Sequence, residues 1–217
     1  MAATVTRWWW VRHAPVVGHS GRIHGRDDSS ADCSDQRVFA ALANRLPRDP
    51  IWLTSDLPRT QQTSRAIQQA IERDGAVAAR TWVVVPDIAE QHFGDWQGLT
   101  WDELKAERGG EHYAFWLSPA TQTPPGGESF GQVVARVRSA VRRLTALYLG
   151  RDIVAVAHGG SIRAALAHAL AIDAEQALSF TIDNCSLTRI DHIDDPDSTD
   201  PRRARWRVAA VNLPPVP

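Results

Sequence analysis

Short apolar runs alternate with longer segments whose apolar residues recur at helical spacing along this 217-residue chain, the pattern of strands interleaved with helices. The first run, Trp8-Trp9-Trp10-Val11 within residues 7–11, halts at Arg12-His13, as a buried strand does where it ends in a functional loop. In residues 35–46, Val38, Leu42 and Leu46 keep a helical period. Residues 50–75 predict strand, loop and helix: Ile51 to Leu53 are apolar, Pro58 suits a first helical turn and Gly75 suits a stop. RTWVVVPDI, residues 80–88, predicts another buried strand. Regularity then weakens. Residues 86–127 mix Gly, Pro, aromatic and charged residues, an excursion expected to carry short helices over the sheet and to read substrate identity.

A long amphipathic helix follows, with Phe130, Val133, Val134, Val137, Val141 and Leu144 on one stripe and a capping box from Ser129 to Gln132. DIVAVAHGGSIRAALAHALAI predicts a strand running into a Gly-Gly turn and a helix, and SLTRIDHI with RWRVAAVNL predicts a closing hairpin around an Asp-rich loop. Alternation of this kind implies a single α/β domain over residues 1–217, a three-layer α/β/α sandwich with a mainly parallel sheet. Ligands of such sheets gather beyond the carboxyl ends of the strands. That selects Arg12 and His13 after the first strand, the Ser55–Arg59 loop after the second, Glu90 after the third and His158 after the fourth.

Composition narrows the function classes. Apolar residues make up 43%, charged residues 23%, and the net charge is −1, so no basic surface for nucleic acid is expected. No stretch reaches membrane-spanning length and the start of the chain lacks the layout of a secretory signal, which gives a cytoplasmic expectation with no membrane partner. Cys33 and Cys185 form no CxxC pattern, so they read as inert thiols rather than zinc ligands or a disulfide framework. Lys105 is the lone lysine among 24 basic residues; that bias fits anion binding and fits GC-rich coding equally.

Two histidines at strand ends, several arginines and one isolated carboxylate point to phosphate chemistry. Guanidinium groups match phosphate oxygens with a planar fork that stays charged. A neutral imidazole can attack phosphorus, a carboxyl group can protonate the leaving oxygen, and the helix start after His158 adds N–H groups and a positive dipole end. His92 lies two residues after Glu90, but no second carboxylate or HxxxH spacing supports a metal site. Ser55 lacks the GxSxG elbow of a serine hydrolase. His19, His92, His112, His168 and His192 read as surface or helix residues, and Trp8–Trp10 as packing residues.

VRHAP, SDLPRTQQT, AEQHFGDWQG and VAHGGSIR, in that order, resemble the histidine phosphatase superfamily, whose best-known branch is the cofactor-dependent phosphoglycerate mutases. GGES at 126–129 and NCSLTRID at 184–191 resemble family segments too. The resemblance implies a phosphoglycerate mutase-like fold and a phosphomonoesterase acting on a small phosphorylated metabolite through a phosphohistidine. His13 would be the nucleophile, Arg12, Arg59 and His158 would hold the phosphoryl oxygens, and Glu90 would be the proton donor. Gly159 would leave room for the phosphate, and Arg22 and His24, in GRIHG, would be substrate contacts. No metal or cofactor is implied. Ala14, Pro15 and Val16 replace the family's usual Gly-Glu-Thr run, and the segment between Glu90 and His158 is shorter than in the mutases. The short segment favours the phosphatase side, and the modest length with the RHAPV variant makes α-ribazole 5'-phosphate in cobalamin assembly the favoured ester. Broad-specificity sugar phosphatases, mutase-type phosphoryl transfer and a non-catalytic phosphate-binding module stand as alternatives, and a homodimer is left open.

Overall fold

The computed structural model describes residues 2–18, 21–73, 75, 81–197 and 204–215. Strands β1 (Thr4–Arg12), β2 (Ile51–Thr54), β3 (Val83–Val84), β4 (Asp152–Ala157), β5 (Leu187–Asp194) and β6 (Ala204–Leu213) form one sheet in the order β3-β2-β4-β1-β5-β6. The β1–β4, β2–β4 and β2–β3 pairings are parallel, whereas β5 runs antiparallel to both β1 and β6. The mainly parallel sheet expected from the sequence is thus completed by an antiparallel hairpin. His19, Arg80 and residues 198–203 of the Asp-rich loop lie outside the described residues.

Helices α1 (Gln36–Arg45) and α2 (Pro58–Arg73) cover one face; α5 (Phe130–Leu147), α6 (Gly159–Leu170) and α7 (Ala174–Leu178) cover the other. Between them α3 (Trp101–Glu107) and α4 (Gly109–Leu117) make up the excursion, with 3₁₀ turns at Pro86–Ile88 and Gly94–Trp96. The α5 start follows its sequence signal: Ser129 Oγ accepts from Gln132 N (3.2 Å) and Gln132 Oε1 accepts from Ser129 N (2.7 Å). Phe130, Val133, Val137, Val141 and Leu144 are buried, while Val134 is half-buried at the stripe's edge.

Strand β1 lies between a parallel and an antiparallel neighbour, where both faces are covered. Trp8 and Trp10 project to the α5/α6 side, stacked at 5.1 Å, and Trp8 Nε1 donates to Thr145 Oγ1 at 2.9 Å. Trp9 takes the opposite face, donates to Asp152 Oδ1 (2.9 Å) and lies under the Arg189 guanidinium at 4.6 Å. Truncating a tryptophan packed this way costs about 3–5 kcal/mol, so the strand end is well anchored.

The expected buried strand over residues 80–88 needs correction. Pairing covers only Val83 and Val84, each 45% exposed. The strand sits at the sheet edge, and Pro86, which has no N–H to donate, ends it and opens a 3₁₀ turn.

Candidate active site

All four parallel strands end on the same side, and their following loops line one cleft of about 510 Å3. Arg12 closes β1, and Cys185 N donates to its carbonyl at 2.9 Å. His13 N donates to Ala157 O at 2.9 Å and His13 O accepts from Asn184 Nδ2 at 2.8 Å, so the backbone carrying this histidine is held from two sides. Ala14 is fully buried, its N–H bound to Thr63 Oγ1 (2.9 Å). It needs none of the left-handed backbone that a glycine would supply. Pro15 and Val16 line the cleft.

His13 is buried, and its Nδ1 lies 2.7 Å from Ala14 O. A carbonyl only accepts, so Nδ1 carries the proton and Nε2 keeps its lone pair. Burial, then the charge of Arg59, pushes the His13 pKa down to about 3, with Arg12 adding to the effect. The ring is therefore neutral at any ordinary pH. His158 stands behind it, fully buried, with ring centroids 5.1 Å apart. Burial, then His13 and the two arginines, holds His158 well below its ordinary value.

The His158 ring is held by a chain of hydroxyl groups. Its Nε2 is 2.8 Å from Ser55 Oγ. That hydroxyl accepts from Leu57 N (3.2 Å) and lies 3.0 Å from Thr60 Oγ1. With Thr60 donating to Ser55 Oγ, Ser55 donates to Nε2 and the proton of His158 is left on Nδ1. This Nδ1 has no partner. Arg12 Nε and Arg59 Nε are likewise buried without one, although Arg12 Nη1 donates to Ile182 O (2.6 Å) and Arg59 donates to Asp27 O (2.8 Å) and Gly25 O (2.6 Å). Two unsatisfied guanidinium donors, each costing roughly 1–3 kcal/mol when desolvated, and the unpartnered His158 Nδ1 thus surround a neutral imidazole. Such a set fits an anion.

Glu90 reaches the same place from the excursion. Its Oε1 accepts from Gly160 N (3.0 Å) and Gln91 N (3.0 Å). The segment that carries it is gripped by Arg136 of α5, which donates to the carbonyls of Asp87 (2.7 Å), Ala89 (2.9 Å) and Glu90 (3.0 Å). Glu128 completes the clamp, accepting from Arg136 Nη2 (2.9 Å) and from His92 N (3.0 Å). Burial opposes ionisation of Glu128; the Arg136 hydrogen bond outweighs it and holds the carboxyl below its ordinary range.

The sequence-selected residues do not all meet here. His13, Arg12, Arg59 and Glu90 line the cleft and His158 backs it. Gly159 is buried beside the Arg12 and Arg163 guanidinia; it is Gly160 that faces the cleft, where an added Cβ would lie 2.2 Å from Glu90 Oε1. Arg22 lines the cleft at its exposed rim, bonded to Gly98 O and paired with Glu103 at 3.2 Å. His24 lines the cleft with Nδ1 2.9 Å from Asp27 Oδ2. His168 and His192 pack on Trp206, and His112 lies half-buried in α4. Ser55, Asn184, Gly160, Arg163, Glu128 and Arg136 went unassigned from sequence, although SDLPR, NCSLTRID, GGSIR and GGES contain all but Arg136. Burial raises Cys33 and pushes Cys185 up to about 12, so neither is a reactive thiol. Among the described residues no three His, Cys, Asp or Glu side chains converge as metal ligands, and no helix is long and apolar enough to cross a membrane.

A metal-independent phosphoserine phosphatase of Arabidopsis thaliana is 32% identical over 71% of this chain and 64% of its own length. Other curated relatives are matched over only 48% of their length. Glucosyl-3-phosphoglycerate phosphatase of Mycobacterium tuberculosis is 35% identical over 93% of this chain and 92% of its own. The native structure of the mycobacterial enzyme of that name superimposes with a TM-score of 0.78 at 30% identity, covering 98% of this chain and all of the other. A putative α-ribazole-5'-P phosphatase from Escherichia coli, 22% identical with a TM-score of 0.75 over 96% of this chain and 97% of its own, shares the fold. The model of the histidine phosphatase superfamily, branch 1, matches residues 8–200, from the tryptophans of β1 past the β5 strand, and the chain belongs to that superfamily.

Proposed function

We propose that the protein is a phosphomonoesterase that hydrolyses a small phosphate ester through a phosphohistidine at His13. The observation that carries this reading is the set of three unpartnered buried nitrogens, Arg12 Nε, Arg59 Nε and His158 Nδ1, around a neutral His13. In the reaction, His13 Nε2 forms a bond to phosphorus as the bond to the ester oxygen breaks. The arginines and His158 hold the non-bridging oxygens, and Glu90 gives its proton to the departing alkoxide. Water then attacks phosphorus, Glu90 takes its proton, the P–N bond breaks and inorganic phosphate leaves. Arginine charge serves where other phosphoryl-transfer sites use a metal.

For the ester, the VRHAPV variant favours α-ribazole 5'-phosphate, and the 35% relative is named for glucosyl-3-phosphoglycerate. The free thiols Cys33 and Cys185 suit a cytoplasmic setting. A phosphate-release panel with both esters and 3-phosphoglycerate, combined with acid-quench trapping of labelled phosphate on His13, tests the activity. Free phosphate as the main product is expected. An isomerised ester that needs a bisphosphate primer would establish a mutase instead, and no turnover of p-nitrophenyl phosphate at any pH would leave only a phosphate-binding module. Glu90→Gln is expected to slow alkyl esters far more than p-nitrophenyl phosphate.

A further inference from the structure

A phosphoryl group fills only part of a 510 Å3 cleft, and the rest must hold the alcohol. The cleft's apolar lining includes Ile23, Phe93, Trp101, Phe115, Pro119 and Leu178. Three of these rings brace one another: Trp101 stacks on Phe115 at 5.7 Å, and Phe93 meets Trp101 edge-on at 6.3 Å and Phe115 at 6.4 Å. The polar side chains of the lining outside the phosphate end each spend a hydrogen bond or ion pair within the protein. Arg22 is matched by Glu103, His24 by Asp27 and Ser29, Gln91 Nε2 by Glu128 O (2.9 Å) and Asn184 Nδ2 by His13 O (2.8 Å). The remaining cation, Arg163, has its Nε on Phe180 O (2.7 Å) and its Nη1 beside Gly159, where Arg12 also lies, at the phosphate end.

A sugar or a glycerate needs several polar groups aimed at its hydroxyls or its carboxylate, and a site that recognises them leaves such groups open when empty. This lining instead presents braced aromatic faces, which gain from burying a flat apolar surface. Resting on the phosphatase reading, we infer that the ester's alcohol carries a planar, apolar body that lies against Trp101 and Phe115, and that polyhydroxylated or carboxylated alcohols are poor substrates.

The test uses primary-alcohol esters of similar leaving-group basicity, so that chemistry is matched and only the alcohol's body differs: 2-(1-naphthyl)ethyl phosphate, glucose 6-phosphate and 3-phosphoglycerate. The naphthyl ester is expected to have a kcat/KM at least about tenfold higher, the scale of one good apolar contact, with the gain in KM. In Trp101→Ala the preference is expected to narrow to under about threefold. The wild-type ranking needs no variant, so misfolding of that variant leaves the inference open to refutation. Equal or better turnover of glucose 6-phosphate or 3-phosphoglycerate overturns the subsite while leaving the phosphatase reading intact. If no ester turns over, calorimetry on the wild-type protein separates the two: tighter binding of the naphthyl ester than of glucose 6-phosphate keeps the subsite and overturns the phosphatase, and no such preference overturns both.

Discussion

Replacing Gly160 with alanine should disable the candidate acid without unfolding anything. Gly160 lies in the first turn of α6, and an added Cβ would stand 2.2 Å from Glu90 Oε1 and 3.4 Å from its Cδ. Restoring ordinary contact requires a separation larger by about 1 Å, and the packed helix has less freedom to move than a half-buried carboxylate. The carboxylate therefore withdraws, and the hydrogen bond from Gly160 N goes with it. A displacement of about 1 Å in a catalytic group costs on the order of 100-fold, within the 10²–10⁴ that a general acid contributes. We expect kcat/KM toward an alkyl phosphate to fall about 100-fold. Toward p-nitrophenyl phosphate, whose leaving group hardly needs a proton, the loss should be under about fivefold. Thermal unfolding should occur at the same temperature or slightly higher, because alanine in a helix is favoured over glycine by up to about 1 kcal/mol. Equal losses on the two esters, or full activity on the alkyl ester, would refute the placement of Glu90 beside the leaving oxygen.

His13→Ala should abolish turnover with unchanged circular dichroism, since Trp8 and Trp10 anchor the strand; activity above about 1% of wild type, the residue of a typical 10²-fold or greater catalytic loss, would sink the nucleophile. With the His13 pKa near 3, kcat/KM corrected for ionisation of the ester should show no acidic limb from His13 down to about pH 4. The same depression makes the unfolded chain bind protons first, so the stability owed to neutral His13 is complete above 6.5 and declines as pH falls toward 3. Arg136→Met removes the grip on the Asp87, Ala89 and Glu90 carbonyls. It should slow alkyl esters about tenfold more than aryl esters, on the same geometric grounds as for Gly160, whereas a purely structural role would depress both alike. Ser55→Ala takes the hydrogen-bond partner from His158 Nε2 and frees the ring to switch tautomer. Inorganic phosphate should then bind about tenfold more weakly, one charge-assisted hydrogen bond's worth, and unchanged affinity by calorimetry would dismiss the assigned tautomer.

Much of this arrangement was legible because local signals and topology agreed. An apolar run ending in Arg-His, another ending in His-Gly-Gly and a parallel sheet suffice to bring His13 and His158 to one edge. Other features depend on helix phase or on partners far along the chain. Nothing in GGSIR tells which glycine faces Glu90, a residue 70 positions earlier, and the choice falls on Gly160 only through the rotation of α6. Arg136 is one arginine among several on the polar side of an amphipathic helix, and its three carbonyl partners lie 46 to 49 positions away. In residues 80–88 hydropathy was misleading for a simpler reason. Val83 and Val84 are as apolar as any central strand, but an edge position leaves them exposed, and pattern alone does not reveal sheet order.

The electrostatics of the site join two requirements that look opposed. A phosphate needs concentrated positive charge, and a histidine nucleophile needs its lone pair. Were His13 exposed, it would be partly protonated near neutral pH and lost to the reaction. Here burial sets its state, and Arg59 and Arg12, the guanidinia with unpartnered Nε atoms, push in the same direction. The groups that would hold the phosphoryl oxygens are thus those that keep the attacking nitrogen free. In the proposed reaction an arriving phosphate would supply the negative charge that these donors lack, relieving their desolvation at the point where the imidazole would begin to gain positive character. Substituting either arginine by a neutral residue therefore weakens phosphate binding and removes part of what holds His13 neutral, so its effects on KM and on the acidic side of the pH profile share one physical origin.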